Sequence, residues 1–288
     1  SDKLLFLGNE TKPHLAVSTL HRNHYLHGYP KNSKTMKTSH ARIKGTGAYY
    51  PDKIQTNEAF HATQFLKDYG LLNPKSGSAV ASKFEKITEI RERRYAAGDI
   101  RASDMAAVAA ERAIDDAGVD PETIDYMILA HNFGDVDPAN GYTDQVPNLA
   151  ARVKGKLGIR NPRCVAYDLL FGCPGWVQGL IQADYYLRTD DIKRVLVVGA
   201  DTVARVADSQ DMDVMLYSDG AGAVLLESGA GMDGIIAHRT VSHCDEELGY
   251  LRMDKAFDRS IDNSRLFLKM NGRKVYRYAV ETVPQLIL

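Results

Sequence analysis

Apolar runs and amphipathic stripes alternate along most of the chain after residue 40. Two short apolar runs, at 126–131 and 194–199, predict buried strands. A helical apolar stripe over 103–117 predicts a helix, with Ser103 placed to cap its start and Gly118 to stop it. Alanine-rich helices that alternate with such strands are typical of an α/β layer, in which a mostly parallel sheet is covered on both faces.

Weaker patterns predict the remaining elements. We expect further strands at 42–46, 163–167, 223–227 and 234–243, and helices at 56–69, 146–157, 174–187 and after M-N-G at 270–272. Pro284 disfavours helix just before it, so the last helix is expected to end or kink there. The composition predicts a loop at 70–82, a charged surface at 83–95 and irregular structure at 244–266.

One stretch combines these patterns with a reactive side chain. The sequence V-A-Y-D-L-L-F-G-C-P-G-W predicts a strand, a sharp turn and a helix, with Cys173 where the turn becomes the helix. Pro174 suits the first helical position, and Gly175, Gly179 and Ala183 leave one face of a mostly buried helix bare for close packing. Free N–H groups at a helix start favour a thiolate, which would make Cys173 a nucleophile. A small buried residue at a tight turn is the structural alternative.

Composition narrows the class of protein. The 288 residues are 44% hydrophobic and 25% charged, with a net charge of -1, which gives no reason to expect binding to nucleic acid or an anionic membrane. No apolar run is long enough to span a bilayer. No secretory pattern opens the chain, and Cys164, Cys173 and Cys244 show no paired spacing. We therefore expect a reduced, cytoplasmic setting.

Several patterns resemble ligand-binding motifs only in part. Residues 1–40 carry histidines with helical spacing, but no acidic or cysteine ligand accompanies them, so a solvated polar extension is expected. Those histidines are His21, His24 and His27. The run D-S-Q-D-M-D at 208–213 lacks the glycine and glutamate of a calcium loop, so no metal is expected. Gly45 and Gly47 suggest a turn rather than a dinucleotide site, and the glycines of 217–227 precede a strand instead of a phosphate-binding helix.

Six motifs, taken in order, resemble the β-ketoacyl-acyl-carrier-protein synthase III family of the thiolase superfamily. They are I-K-G-T-G-A-Y-Y-P, I-R-E-R-R-Y, D-L-L-F-G-C-P-G-W, V-L-V-V-G-A-D-T-V-A-R, Y-S-D-G-A-G-A-V-L-L and L-K-M-N-G-R-K-V-Y-R-Y-A-V. The resemblance implies an α/β, thiolase-like, layered α-β-α fold built from two similar halves. Residues 41–266 would form the N-terminal half that carries the cysteine, and 267–288 would begin the C-terminal half, so we expect the fold to be incomplete.

The resemblance also implies a chemistry. Cys173 matches the cysteine that accepts an acyl group from an acyl thioester donor, in fatty-acid or related biosynthesis, without a cofactor. Decarboxylation of malonyl-acyl carrier protein then gives an enolate that attacks the acyl-cysteine. The family stabilises this enolate with a histidine and an asparagine of the second half, whose motifs this sequence lacks, so we expect no condensation by this chain alone. His131, His238 and His243 match no catalytic position and are expected to be surface or loop residues.

Further site residues follow only from the resemblance. Val146 would cross the interface of a homodimer and line the acyl pocket of the partner subunit. Met270 and Gly272 would lie along the pantetheine channel. Arg277 would dock the acidic carrier protein. Simple helix or turn packing is the alternative for each.

The expected donor differs from the family's usual one. Members that accept acyl-coenzyme A hold its nucleotide with an aromatic residue and two arginines, and the corresponding positions here are Lys83, Ile87 and Asp211. Nothing at Lys83 can stack on a base, and Asp211 would repel phosphate. We therefore expect a donor on a carrier protein or a specialised donor. Two other functions stay open: acyl transfer or a thiolase-like reaction without decarboxylation, and a non-catalytic half-domain that acts as a complex subunit.

Overall fold

The computed structural model describes residues 39–67, 70–189, 191–230, 233–261 and 265–287. Almost all of the expected N-terminal extension, including its three spaced histidines, lies outside these ranges, and its solvated character stays a prediction. Across the described ranges, no helix is both long enough and apolar enough to cross a membrane.

Helices and strands alternate through the described residues. The helices are α1 (Gly77–Thr88), α2 (Ala102–Ala117), α3 (Leu149–Lys156), α4 (Gly175–Leu187) and α5 (Gly272–Ile287). The strands are β1 (Ser39–Tyr49), β2 (Lys53–Thr56), β3 (Leu66–Lys67), β4 (Leu71–Leu72), β5 (Glu92–Tyr95), β6 (Tyr126–His131), β7 (Asp135–Val136), β8 (Thr143–Asp144), β9 (Val165–Leu170), β10 (Arg194–Asp201), β11 (Gly220–Ala230), β12 (Leu251–Asp254) and β13 (Phe267–Met270).

A five-stranded mixed sheet forms the centre, in the order β1-β11-β10-β6-β9. β10 is parallel to β6, and β6 is parallel to β9, whereas β11 is antiparallel to both of its neighbours. β1, β6, β9 and β10 therefore run in one direction, as the apolar runs predicted. Because the parallel strands end at the same edge, this edge collects the residues that follow them.

Helices cover both faces of the sheet at close range. On one face, α2 packs so tightly on β1 that a Cβ at Gly47 would overlap the carbonyl oxygen of Ala109. The expectation of a turn at Gly45 and Gly47 was wrong, because β1 runs through both residues. Without side chains, they let the backbone of α2 pack directly against the strand.

On the other face, the predicted close approach of α4 is confirmed. A Cβ at Gly179 would lie 2.8 Å from Cγ1 of Val197, and Ala183 is fully buried. The outer side of this helix is not covered by the described residues, since Val177 and Tyr185 are 51% and 52% exposed.

The segment between β1 and α2 differs from the prediction. The helix expected at 56–69 is a short 3₁₀ helix, Asn57–Phe60, followed by β3. The buried amide of Asn57 donates to Glu85 and to the carbonyl of Ile90, which fixes the chain in this irregular path. The loop expected at 70–82 instead contains β4 and the start of α1, which Ser76 caps by accepting the N–H of Ala79 at 3.3 Å.

Two helices begin differently from the prediction. α2 has Arg101 at its N-cap, and its Ser103 hydroxyl donates to Asp135 at 2.7 Å instead of capping the helix. α3 begins at Leu149 because Asn148 caps it, three residues after the expected start. The stop at Gly118 is confirmed, with a left-handed φ of 62° that glycine adopts without strain.

Three predictions for the C-terminal part of the chain were wrong. Residues 234–243, all of them described, form no strand, and strand β12 lies within the region expected to be irregular, paired with β13. α5 continues through Pro284 to Ile287. The carbonyl that Pro284 leaves without a helical partner belongs to Val280, which is 53% exposed, so water can satisfy it.

Candidate active site

Cys173 lies at the turn from β9 to α4, as the sequence predicted. The preceding Gly172 has a φ of 72°, which a side chain at that position would strain. Pro174 is the N-cap of α4 rather than its first helical residue, and the N–H of Gly175 is bonded to the carbonyl of Gly172 at 2.9 Å. The Cys173 side chain is exposed, and its own N–H donates to no other described residue.

A cavity of about 310 Å³ opens beside this cysteine at the carboxyl ends of β6 and β10. Its polar wall consists of His131, Asn132 and Asp201. Its apolar wall includes Trp176, whose ring packs against Gly199: a Cβ added at Gly199 would lie 3.3 Å from the ring. Surface cavities of about 580 and 590 Å³ are larger but do not include Cys173.

His131 is buried rather than a surface or loop residue, which corrects the prediction. It is 2% exposed, its Nε2 lies 2.9 Å from Oδ2 of Asp168, and its Nδ1 accepts the N–H of Gly134 at 2.9 Å. This N–H requires an unprotonated Nδ1, so Nε2 carries the proton and donates it to Asp168. Burial opposes ionisation of Asp168, but hydrogen bonds from His131, Ala150 and Leu149 outweigh it and lower its pKa.

The other two histidines lie outside helices and strands, as predicted. His238 is largely covered, with Nε2 3.8 Å from a carboxylate oxygen of the buried Asp184. His243 is exposed and lies 2.9 Å from the hydroxyl of Tyr278. Neither lines the cavity at Cys173.

Asp201 is a cavity residue that the sequence did not single out. Its Oδ2 accepts the N–H and the side-chain amide of Asn132 at 2.9 and 2.7 Å. Its Oδ1 is buried and has no hydrogen-bond partner among the described residues. Burial raises the pKa of Asp201, against the hydrogen bonds from Asn132.

Tyr217 was also missed by sequence reasoning, although it precedes the glycine-rich start of β11. Its hydroxyl is buried and, within the described ranges, makes no hydrogen bond. Burial raises the pKa of Tyr217, and the charges of Asp213, Asp211 and Cys173 raise it further. Tyr217 lies three residues before Gly220, which lines the cavity together with Cys173.

A buried acidic cluster is organised around a lysine. Nζ of Lys269 contacts Oδ2 of Asp208, lies 3.3 Å from Oδ2 of Asp211 and stands 3.3 Å from the ring centre of Phe257. Asp211 is therefore buried against a cation rather than placed to repel a phosphate. The described residues contain no group of side chains suited to hold a metal. Burial, followed by the charge of Asp211, raises the pKa of Asp213 to about 7.

A second cavity, of about 370 Å³, lies on the outer side of Asp213. Lys83 and Ile87, two of the positions compared with nucleotide-binding residues, both line it. Phe84 supplies an aromatic wall there although Lys83 itself cannot stack. Lys67 and Lys75 complete a basic rim.

The remaining predicted site residues fall in different places. A Cβ at Gly272 would lie 3.7 Å from both Oδ1 of Asp213 and Cε of Met270, so the two predicted channel residues lie close to each other, and Gly272 lies close to a residue that lines the second cavity. Arg277 is exposed on α5. Val146 is 86% exposed and lines neither cavity. Their roles stay predictions.

Comparison of the sequence with known proteins finds a family model and relatives that are named for the same type of synthase. A family model described as 3-oxoacyl-[acyl-carrier-protein (ACP)] synthase III matches residues 167–244. A beta-ketoacyl-[acyl-carrier-protein] synthase III of Vibrio parahaemolyticus is 34% identical over 250 residues, which cover 86% of this chain and 70% of that protein. The enzyme of the same name from an Enterobacter species is 32% identical over 249 residues, with the same coverage of 86% and 70%.

Solved structures agree with this result. The 3-oxoacyl-[acyl-carrier-protein] synthase III from Aquifex aeolicus matches with a TM-score of 0.66 and 27% identity, over 84% of this chain and 68% of that one. The corresponding protein from Pseudomonas aeruginosa matches with a TM-score of 0.66 and 26% identity, over 86% and 70%. The implied thiolase-like α/β fold is therefore confirmed. At 34% identity over 70% of a relative's length, the chain belongs to the 3-oxoacyl-[acyl-carrier-protein] synthase III family.

Proposed function

We propose that this protein is an acyltransferase whose Cys173 accepts an acyl group from a thioester. The observation that carries the proposal is an exposed thiol at the start of α4, facing a cavity at the carboxyl edge of the sheet. The Cys173 sulfur attacks the thioester carbonyl carbon, a new C–S bond forms, and the donor's C–S bond breaks. The donor thiolate leaves and takes up the proton that Cys173 has lost. The N–H of Cys173, which bonds to no other described residue, can donate to the carbonyl oxygen as it becomes negative.

For the second step we propose decarboxylative condensation with malonyl-acyl carrier protein, because the relatives are named for β-ketoacyl synthesis. That residues 1–288 do not complete this step alone stays a prediction. Acylation is the step that the described residues support best. His131 lines the cavity, but both of its ring nitrogens are already engaged, so it cannot donate to an enolate without breaking its bonds to Asp168 and Gly134.

For the donor, we propose an acyl group on an acidic carrier protein. Lys67, Lys75 and Lys83 are exposed around the second cavity, and Arg277 adds a fourth exposed cation on α5. Clustered cations attract an acidic protein and raise its association rate. A carrier-bound acyl group needs no base-stacking residue at Lys83.

We also propose a homodimer and a reduced, cytoplasmic setting. Val146 and Tyr142, on either side of β8, are 86% and 74% exposed, which would place apolar surface at a dimer interface. Free thiols at Cys164, Cys173 and Cys244 are typical of a reducing compartment. Light scattering should give twice the protomer mass, and Val146→Asp should lower it.

Intact-mass spectrometry with acyl thioesters tests the central proposal. We expect the mass of one acyl group on the protein, its loss in Cys173→Ser, and its retention in Cys244→Ser, which removes another exposed thiol. Acyl-carrier protein should react faster than acetyl-coenzyme A, and Lys83→Glu should reduce that preference. A folded protein that takes no label from any thioester would contradict the proposal and favour a non-catalytic subunit.

Addition of malonyl-carrier protein to the acylated enzyme separates the two catalytic possibilities. Release of carbon dioxide with a β-ketoacyl product supports condensation and overturns the prediction that this chain does not condense alone. Transfer of the acyl group to the carrier without carbon dioxide supports acyl transfer alone.

A further inference from the structure

An apolar cluster lies directly behind the cavity at Cys173. Its buried members are Val136, Val206 and Leu268, and its half-buried members are Phe133, Val203 and Tyr217. Val203 also lines the cavity, so the cluster and the cavity share a wall. Val203 therefore borders both the cavity at Cys173 and the cluster that contains Tyr217.

The hydroxyl of Tyr217 is the polar exception in this cluster. It is buried and has no hydrogen-bond partner among the described residues. A buried hydroxyl without a partner is unfavourable, and phenylalanine would fill the same apolar space without that cost. By contrast, the hydroxyl of Tyr167 donates to Gln182 at 2.9 Å. The unpaired group at Tyr217 therefore fits a partner supplied by a ligand.

The surroundings keep this hydroxyl a donor. Asp213, Asp211 and the cysteine all oppose its ionisation, so it stays protonated across the physiological range. Neither carboxylate is hydrogen-bonded to it. Asp211 is engaged by Lys269 and by the N–H of Asp213. The proton on Tyr217 is therefore available to an acceptor atom that enters the cluster.

We propose that Tyr217 selects acyl groups that carry an oxygen atom, such as hydroxyacyl or oxoacyl groups, by donating a hydrogen bond to that oxygen. This inference rests on the proposed acylation of Cys173. An unsubstituted alkyl chain packs against Val203 and Leu268 but leaves the Tyr217 hydroxyl unpaired. An acyl chain with a hydroxyl or keto oxygen at the right distance pairs it, which favours that acyl group in the transition state of acylation.

The test compares acylation rates with matched small thioesters. Butyryl, 3-hydroxybutyryl, 4-hydroxybutyryl and 3-oxobutyryl thioesters of N-acetylcysteamine are each incubated with the protein, and acyl-enzyme formation is followed by intact mass. We expect at least one oxygenated acyl group to react about 10- to 100-fold faster than butyryl, the range that one buried hydrogen bond provides. Tyr217→Phe should reduce this ratio to near one, whereas Tyr50→Phe, at an exposed tyrosine, should keep it.

Each outcome bears on the inference. A ratio near one for all oxygenated groups in the unmodified protein overturns it, as does an unchanged ratio in Tyr217→Phe. If butyryl and the oxygenated acyl groups all reacted rapidly and at equal rates, the role of Tyr217 would be overturned, but the proposed acylation of Cys173 would be supported. Absence of label from every thioester would instead overturn the acylation on which it rests. Thermal unfolding of Tyr217→Phe serves as the folding control, and its midpoint should be equal or higher.

Discussion

Replacement of Asp213 by asparagine should stabilise the protein at alkaline pH. Asp213 lies in the wall of the second cavity, where burial and the charge of Asp211 raise its pKa to about 7, while Lys269 acts in the opposite direction. Burial and the charges of Asp213 and Asp211 raise the pKa of Tyr217, so its hydroxyl stays neutral. The folded protein therefore carries an unfavourable carboxylate at pH 8, and asparagine fills the same space without that charge.

The magnitude follows from proton linkage. The unfolded chain releases this proton near the ordinary value of 3.8, and the folded chain holds it up to about 7. Between these values the folded state binds more protons, so its stability falls as pH rises. The full difference corresponds to about 4 kcal/mol at pH 8, and contact of the carboxylate with cavity water reduces it to about 2 kcal/mol. The asparagine side chain cannot ionise, so the advantage of Asp213→Asn should fall below about 1 kcal/mol at pH 5.

Urea denaturation at pH 5, 6.5 and 8 measures this difference. The free energy of unfolding of Asp213→Asn, relative to the unmodified protein, should rise steadily with pH. Asp99→Asn, at an exposed turn, supplies the control and should show no such trend. If Asp213→Asn were equally or less stable at pH 8, the Asp213 carboxylate would not be unfavourable in the folded protein, and the expectation would be refuted.

Three further substitutions test the packing and charge arguments. Gly47→Ala should cost more than about 3 kcal/mol or prevent folding, because its Cβ would overlap the α2 backbone, whereas Gly98→Ala, with open space around it, should be neutral in thermal unfolding. Lys269→Met should cost about 3–5 kcal/mol at pH 7 and less in acid, since it leaves two buried carboxylates without their cation until they are protonated. Asp168→Asn should cost about 1–3 kcal/mol at pH 7 in urea denaturation. Because the folded pKa of Asp168 is lowered, its contribution is present above 3.8 and is lost as pH falls through that lowered value, so the difference should vanish in strong acid.

The sequence predicted best where one pattern decided the structure. Strand β6 was placed without error, and β10 to within two residues, because buried parallel strands are apolar throughout. α2 was also located closely, since its alanine stripe repeats every three or four residues and Gly118 ends it. In these segments local preference and tertiary packing agree.

Prediction failed where a contact or solvent exposure outweighed the local composition. The 56–69 segment has helix-forming residues, but the amide of Asn57 is held by residues about thirty positions later, which stops the helix after one turn. The start of α1 has the Gly and Ser content of a loop, yet the cap at Ser76 allows a helix to begin there. Pro284 disfavours helix locally. In an exposed helix such as α5, however, the carbonyl that loses its helical partner can bond to water, so the helix continues.

The candidate site shows the same division. The position of Cys173 at the start of a helix could be predicted because its turn and its helix are encoded within a few neighbouring residues. Tyr217 and Asp201 could not, because their significance depends on unpaired buried oxygens that only the packed structure reveals. His131 and Asp168 gave a weak signal, as single polar residues in or at the end of apolar strands, but their pairing needed the register of β6 and β9.

Strand direction explains why these separated residues meet. β6, β9 and β10 are parallel, so the residues at their carboxyl ends, His131, the turn before Cys173, and Asp201, all reach the same edge of the sheet. β11 is antiparallel to β10 and therefore begins at that edge, which brings the preceding Tyr217 to the same place. If β11 ran parallel instead, Tyr217 would lie at the opposite edge, far from the thiol. The one reversed strand beside the parallel set thus brings a residue more than forty positions after Cys173 to the edge of the sheet that carries the thiol.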